Sequence, residues 1–179
     1  MRADGRLGAC LILLALATAR VEALEERFED LSASVEVGGV FGVDVAEAVL
    51  TFQNVAPGQV AFLGRGRFDN EVTCRSNYGR PWQLRAQLIS LRHTAADRAL
   101  PPSALQWRLV DSTGIGRSPV GSGAFQPFSE SAVAVYLAEG DDLRGQPVAL
   151  RFQYRLAAPP STLAGTYVGQ VVYTMTEGP

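Results

Sequence analysis

Apolar and polar residues alternate along much of this chain. From Trp82 to Leu88 the alternation is unbroken: Trp82, Leu84, Ala86 and Leu88 fall on one side, Gln83, Arg85 and Gln87 on the other. A period of two places one set in a core and the other in water, and so predicts a half-buried β-strand. Ahead of it, Ser76-Asn77-Tyr78-Gly79 is a turn, because Asn and Gly accept left-handed backbone. Pro81 suits a strand entrance, having no N–H to leave unpaired. Val72 to Leu91 is therefore a tight corner feeding a strand that carries a large aromatic anchor. Two later runs repeat the pattern. Val148, Leu150, Phe152, Tyr154 and Leu156 alternate with Ala149, Arg151, Gln153 and Arg155, and Tyr167, Val171, Tyr173 and Met175 alternate with Val168, Gln170, Val172 and Thr174.

Shorter runs fill the interval: Val35 and Val37, Val43 and Val45, Leu50 and Phe52, Val60 to Leu63, Phe68 to Cys74, and Leu105 to Val110. Ser131 to Ala138 alternates with Val133, Val135 and Leu137 in one phase. Residues 111–128 are rich in glycine and carry Pro119 and Pro127, which predicts a long surface loop. About 8–10 short strands with almost no helical periodicity predict an all-β fold, a single antiparallel Ig-like β-sandwich over residues 34–179. An up-and-down barrel satisfies the same alternation; the strand lengths and the Gly-rich loop favour the sandwich. Trp82, Leu84, Trp107, Tyr167 and Tyr173 are the expected structural anchors, with Trp82 paired across the sandwich to the closing strand around Tyr173.

Composition changes this picture in three ways. At 179 residues and 47% hydrophobic, the chain can bury a full core in one domain. The net charge of −2 and scattered arginines give no reason to propose nucleic acid. All sixteen basic side chains are Arg, so chemistry that needs a lysine amine, such as Schiff bases, Ser–Lys dyads or P-loops, is excluded.

Residues 1–23 have the form of an export signal. Arg2 and Arg6 flank a short positive region, Leu7 to Ala17 is apolar, and small-residue exits follow at Ala19 and Ala23. The apolar run is shorter than the roughly 20 residues of a spanning helix, so no membrane span is expected after cleavage. Leu7-Gly8-Ala9-Cys10 has the form of a lipid-attachment box, but Leu11 to Leu16 continue the apolar run beyond the cysteine, which argues against lipidation. Residues 24–33 form an acidic leader with Leu24, Phe28 and Leu31 at helical spacing, consistent with a short helix. After cleavage Cys74 is the one remaining cysteine, in phase with Val72, and reads as a buried small hydrophobe.

Candidate chemistry is sparse. His93 and Cys74 do not make a metal site, and no metal or cofactor is expected. The acidic cluster Glu25, Glu26, Glu29 and Asp30 reads as a solvated face, and Asp141-Asp142 as turn chemistry. His93 has no G-x-S-x-G elbow to serve. Asp44, Glu47, Asp69, Glu71 and Glu139 supply carboxylates that no motif brings together. The remaining candidates are at the corner: Asn77, Tyr78 and Arg80, where a turn tip offers an aromatic to solvent and, with it, a stacking surface for a sugar.

Two places together resemble the WxL family of bacterial cell-surface domains. Trp82-Gln83-Leu84 resembles the W-x-L of an early strand. Gly165-Thr166-Tyr167, then Tyr173-Thr174-Met175 and Pro179, resemble the family's closing G-x-Y turn and final strand, with Tyr173 and Met175 standing where the family has Trp and Leu. Residues 35–179 fit that layout. The resemblance implies non-covalent binding at the bacterial cell wall. With the export signal and the lack of a catalytic motif, the expectation is a non-enzymatic exported domain at a bacterial surface or in the periplasm, whose partner is peptidoglycan, another surface glycan or other surface proteins. The end at Gly178-Pro179, with neither sorting signal nor apolar tail, fits non-covalent attachment. A structural subunit of a fimbria- or coat-like assembly is the alternative.

Overall fold

A computed structural model describes residues 38–178, apart from 65 and 122. The export signal, the acidic leader and the run with Val35 and Val37 lie outside the described residues. Ten strands form two antiparallel sheets: β1 (Phe41–Val45), β2 (Val49–Val55), β3 (Val60–Phe62), β4 (Asn70–Ser76), β5 (Trp82–His93), β6 (Leu105–Ser112), β7 (Gln126–Pro127), β8 (Val133–Leu137), β9 (Val148–Ala157) and β10 (Gly165–Glu177). Two 3-10 turns, Pro102–Ala104 and Gly140–Leu143, interrupt the strands. This is the expected all-β sandwich.

One sheet runs β2-β10-β5-β8. The other runs β1-β4-β9-β6-β7, with β3 added beside β4 along the same edge of β9. Where β4 stops and β3 has not yet begun, Asp69 completes the ladder: its N–H donates to the Phe152 carbonyl, and its carboxylate accepts the Tyr154 N–H, both at 2.8 Å. The alternating apolar sets meet between the sheets. Trp82, Trp107, Tyr136, Tyr154, Tyr167, Phe52 and Phe152 are the bulkiest fully buried side chains, and Leu84 is buried with them.

Two expectations change in detail. β10 lies beside β5 in the same sheet, with Glu177 opposite Trp82 and Tyr173 opposite Ala86, so Trp82 is not paired across the sandwich with the closing strand. Trp82 packs on Tyr136, ring centroids 5.8 Å apart, while Tyr173 crosses the core to Phe152 at 5.8 Å and meets the Tyr154 hydroxyl. β8 does not keep one phase. Leu84 pairs with Tyr136 and Arg85 with Ala134, which leaves Val135 as an extra residue. Such a bulge lets two successive side chains, Val135 and Tyr136, both turn inward.

Bulges also shift the phase of β5 and β6. In β5, Ile89 is the extra residue, so the inward set steps from Leu88 to Leu91. In β6, Val110 is extra, and this places Asp111 rather than Val110 opposite Arg151 of β9.

Candidate functional site

The corner holds Asn77, Tyr78 and Arg80 close in sequence but engages each with its own chain. Asn77 Oδ1 accepts the Val40 N–H at 2.7 Å, and Nδ2 donates to the Gly38 carbonyl at 2.9 Å. Both ends of the amide thereby clamp the segment entering β1. Tyr78 stacks on Phe41, with centroids 5.9 Å apart and planes within 8°, and its ring covers Gly39, where a Cβ would collide with it. Half of Tyr78 is exposed. Gly79 has φ of 66°, a left-handed turn conformation suited to glycine. Arg80 reaches Glu177 at 3.6 Å, both largely in solvent, a geometry that contributes little.

The outer face of the larger sheet is built differently. Alternation along β9 turns Arg151, Gln153 and Arg155 away from the core, and their neighbours come from β3, the β3–β4 link, β4, β6 and the Gly-rich loop. Arg151 is charge-compensated: Nε donates to Glu71 at 2.8 Å and Nη1 to Asp111 at 3.0 Å, and these bonds hold its proton more firmly. The guanidinium also lies over the Phe68 ring at 5.3 Å. Gln153 accepts from Arg108 Nε at 2.9 Å and donates to the Arg67 carbonyl at 2.9 Å.

At the other end of the row the charge is not compensated. Arg155 Nε donates to Gln106 Oε1 at 2.7 Å, and among the described residues no carboxylate pairs with Arg155 or Arg108. Both guanidinium groups lie over the ring of Phe125, at 4.3 and 4.6 Å from its centre. Phe125 comes from the loop before β7 and meets Phe62 edge-on at 6.2 Å. Phe62 is directly opposite Arg155 across the β3–β9 ladder, and 60% of it is exposed. The result is a platform of aromatic surface beside two cations.

A third cluster was not foreseen in the sequence. Asp142, 3% exposed, accepts the Ile115 N–H and the Gly116 N–H at 3.0 Å each and the Tyr136 hydroxyl at 2.7 Å. Its backbone carbonyl accepts the Trp82 indole N–H at 3.2 Å. Gly114 and Gly116 allow this approach, because a Cβ at either would strike Tyr136. The cluster ties the Gly-rich loop to the end of the sandwich. Burial, and the neighbouring Asp142 charge, push the Tyr136 ionisation upward, so its hydroxyl is a donor and not a base. The glycine spacing at Gly114 and Gly116 was the available signal, but glycines in a loop do not name the carboxylate they receive.

His93 is also occupied. Nδ1 accepts the Ala95 N–H at 3.0 Å, which assigns the proton to Nε2, facing the Ala164 carbonyl at 3.2 Å, with the ring edge-on to Tyr167. Cys74 is buried and its thiol is pushed up to about 12, by burial first and the Asp44 carboxylate second. Among the described residues no three His, Cys, Asp or Glu side chains gather as a metal site.

These features define the class: a two-sheet antiparallel β-sandwich whose distinctive surface is the Arg–Phe platform on β3, β6 and β9. No family model, curated protein or solved structure matches the chain.

Proposed function

We propose that this protein is a non-enzymatic, exported β-sandwich that binds a cell-wall or other surface glycan without covalent attachment, and that the platform of Phe62, Phe125, Arg108 and Arg155 is the binding face. The observation that carries the reading is the exposure of Phe62 directly opposite Arg155 on the outer face of the larger sheet. An aromatic ring offers a sugar an apolar surface, and a guanidinium offers donors to its oxygens. Export rests on the pattern of residues 1–23, and the surface role gains support from the resemblance carried by Trp82-Gln83-Leu84 and the closing strand. Those motif residues are in the core of the described fold, Trp82 and Leu84 on β5 beside Tyr173 and Met175 on β10. This arrangement suggests that they hold the domain together and that contact with ligand falls elsewhere.

The two sheets close on each other over a continuous core. A closed core favours glycan binding over assembly by a strand donated from a neighbouring subunit. The test is retention of the purified chain on insoluble peptidoglycan and on a panel of immobilised polysaccharides at moderate salt. The reading expects retention that falls at least ten-fold in Phe62→Ala with an unchanged melting temperature. Failure to bind any of these surfaces, with self-association rising with concentration, would replace it with the structural-subunit reading.

A further inference from the structure

We infer that the glycan this face takes is acidic, a polysaccharide whose sugar rings carry carboxylates, with Arg155 as the residue that holds the carboxylate. The inference rests on the glycan-binding reading above and specifies its ligand.

The first reason is the contrast along one row of side chains. At the Arg151 end one guanidinium is matched by two carboxylates, Glu71 and Asp111, and the register delivers the second of these through the Val110 bulge. At the Arg155 end two guanidinium groups share one phenyl ring and no carboxylate. Each is under 5 Å from the ring centre, so they lie at most about 9 Å apart and repel one another. An anion between or beside them removes that repulsion. The compensated end, with its excess of negative charge, repels the same anion and confines it to the Phe62 side.

The second reason is that Arg155 is held but not used up. Its Nε is spent on Gln106. The N–H bonds of both Nη atoms have no partner among the described residues, and these form the fork that matches a carboxylate in two parallel hydrogen bonds. Gln106 and Phe125 fix the side chain in advance, so little rotamer freedom is lost on binding.

The third reason concerns where the charge must sit. Phe62 and Arg155 are directly opposed residues of neighbouring strands, with Cβ atoms about 4.5–5.5 Å apart. A sugar ring lying on Phe62 presents a carboxyl group attached to that same ring at the Arg155 fork. A phosphate in a flexible link between sugars has no such fixed relation to the stacked ring. A uronic acid polymer therefore fits better than a phosphate-linked one.

The experiment compares the purified chain with Arg155→Gln, Arg155→Lys and Phe62→Ala by affinity electrophoresis. The gels contain polygalacturonate, neutral hydroxyethylcellulose or poly(glycerol phosphate), and melting temperatures are recorded alongside. The expected result is at least ten-fold tighter retention on polygalacturonate than on either other polymer. Arg155→Gln should lose ten-fold or more of it, and Arg155→Lys should fall between, because it keeps the charge but not the fork. Equal retention on the neutral polymer, unaffected by Arg155→Gln, overturns the acidic assignment and leaves glycan binding standing. Preference for poly(glycerol phosphate) overturns the carboxylate assignment. Retention on none of the three removes this inference together with the reading beneath it.

Discussion

Removal of the Asp142 carboxylate is the perturbation whose size the structure defines best. In Asp142→Ala two backbone N–H groups, of Ile115 and Gly116, and the Tyr136 hydroxyl all lose their acceptor at once. A hydrogen bond to a charged group contributes about 1.5–3 kcal/mol, and a buried donor left unpaired costs about 1–3 kcal/mol. The three effects share one loop that relaxes toward water, so they do not add fully, and we expect a loss of about 3–5 kcal/mol. Asp142→Asn keeps the shape and one acceptor oxygen, but turns an amide N–H toward the Gly116 N–H. Tyr136 can rotate its hydroxyl to accept from that amide, so about 1–3 kcal/mol is expected. In a domain of this size 1 kcal/mol corresponds to roughly 2–4 °C. Urea unfolding followed by tryptophan fluorescence suits the measurement, since the Trp82 indole bonds to the backbone of the same residue. Adding Tyr136→Phe to Asp142→Ala should cost less than the two single changes together. A loss below 1 kcal/mol for Asp142→Ala, or full additivity with Tyr136→Phe, would show that the carboxylate does not organise the loop.

Alkaline pH provides a second measurement. The Cys74 thiol moves from 9.0 to about 12 on folding, so between those values only the unfolded chain ionises. The thiol's contribution to stability is constant below about pH 9 and then falls by about 1.4 kcal/mol per pH unit. Tyr136, Tyr154 and Tyr173, raised chiefly by burial from 10.0, steepen the fall from about pH 10 onward. Urea midpoints between pH 8 and 10.5 should show the onset, and Cys74→Ala should delay it from about pH 9 to about pH 10; no delay contradicts the assignment. Asn77→Ala removes two bonds to the β1 entrance and should cost about 1–2 kcal/mol, with faster hydrogen exchange at Val40 and unchanged glycan retention. If retention is lost while stability holds, the corner and not the sheet face is the ligand site. Trp82→Ala should cost about 3–5 kcal/mol through the cavity left beside Tyr136; a variant that melts like the parent but no longer binds glycan would make Trp82 a ligand residue.

Fold class and most strand positions were legible because alternation is a local signal and both sheets bury one face. The inward sets of β9, of β10 from Tyr167 to Met175 and of β5 from Trp82 to Leu88 follow the sequence pattern residue by residue. What escaped was the effect of single extra residues. Val135 sits in a run that alternates well on paper, yet the bulge there turns Tyr136 inward and makes the Asp142 cluster possible. No short-range rule distinguishes that run from a regular strand, because the partner strand decides the register. The pairing of Trp82 with Tyr136 and of Tyr173 with Phe152 failed to show for the same reason: alternation says which residues are buried, not which sheet they belong to.

The platform shows the same division between local and distant information. Arg151, Gln153 and Arg155 were readable as the polar set of one strand, and nothing local separates Arg151 from Arg155. The distinction comes from three remote segments. β4 supplies Glu71, the bulged end of β6 supplies Asp111, and the Gly-rich loop supplies Phe125 in place of an acid. A surface evolved only for solubility has no need to give one arginine two carboxylates and another on the same strand none among the described residues, beside an exposed phenyl ring. Mixed charges spread evenly serve that purpose at no cost in repulsion. Segregated charge on one face is instead what the proposed binding of a charged ligand calls for, since each end would favour or exclude the ligand's own charge. The two guanidinium groups are placed by Gln106, Gln153 and Phe125 on strands whose other face is packed into the aromatic core of the sandwich.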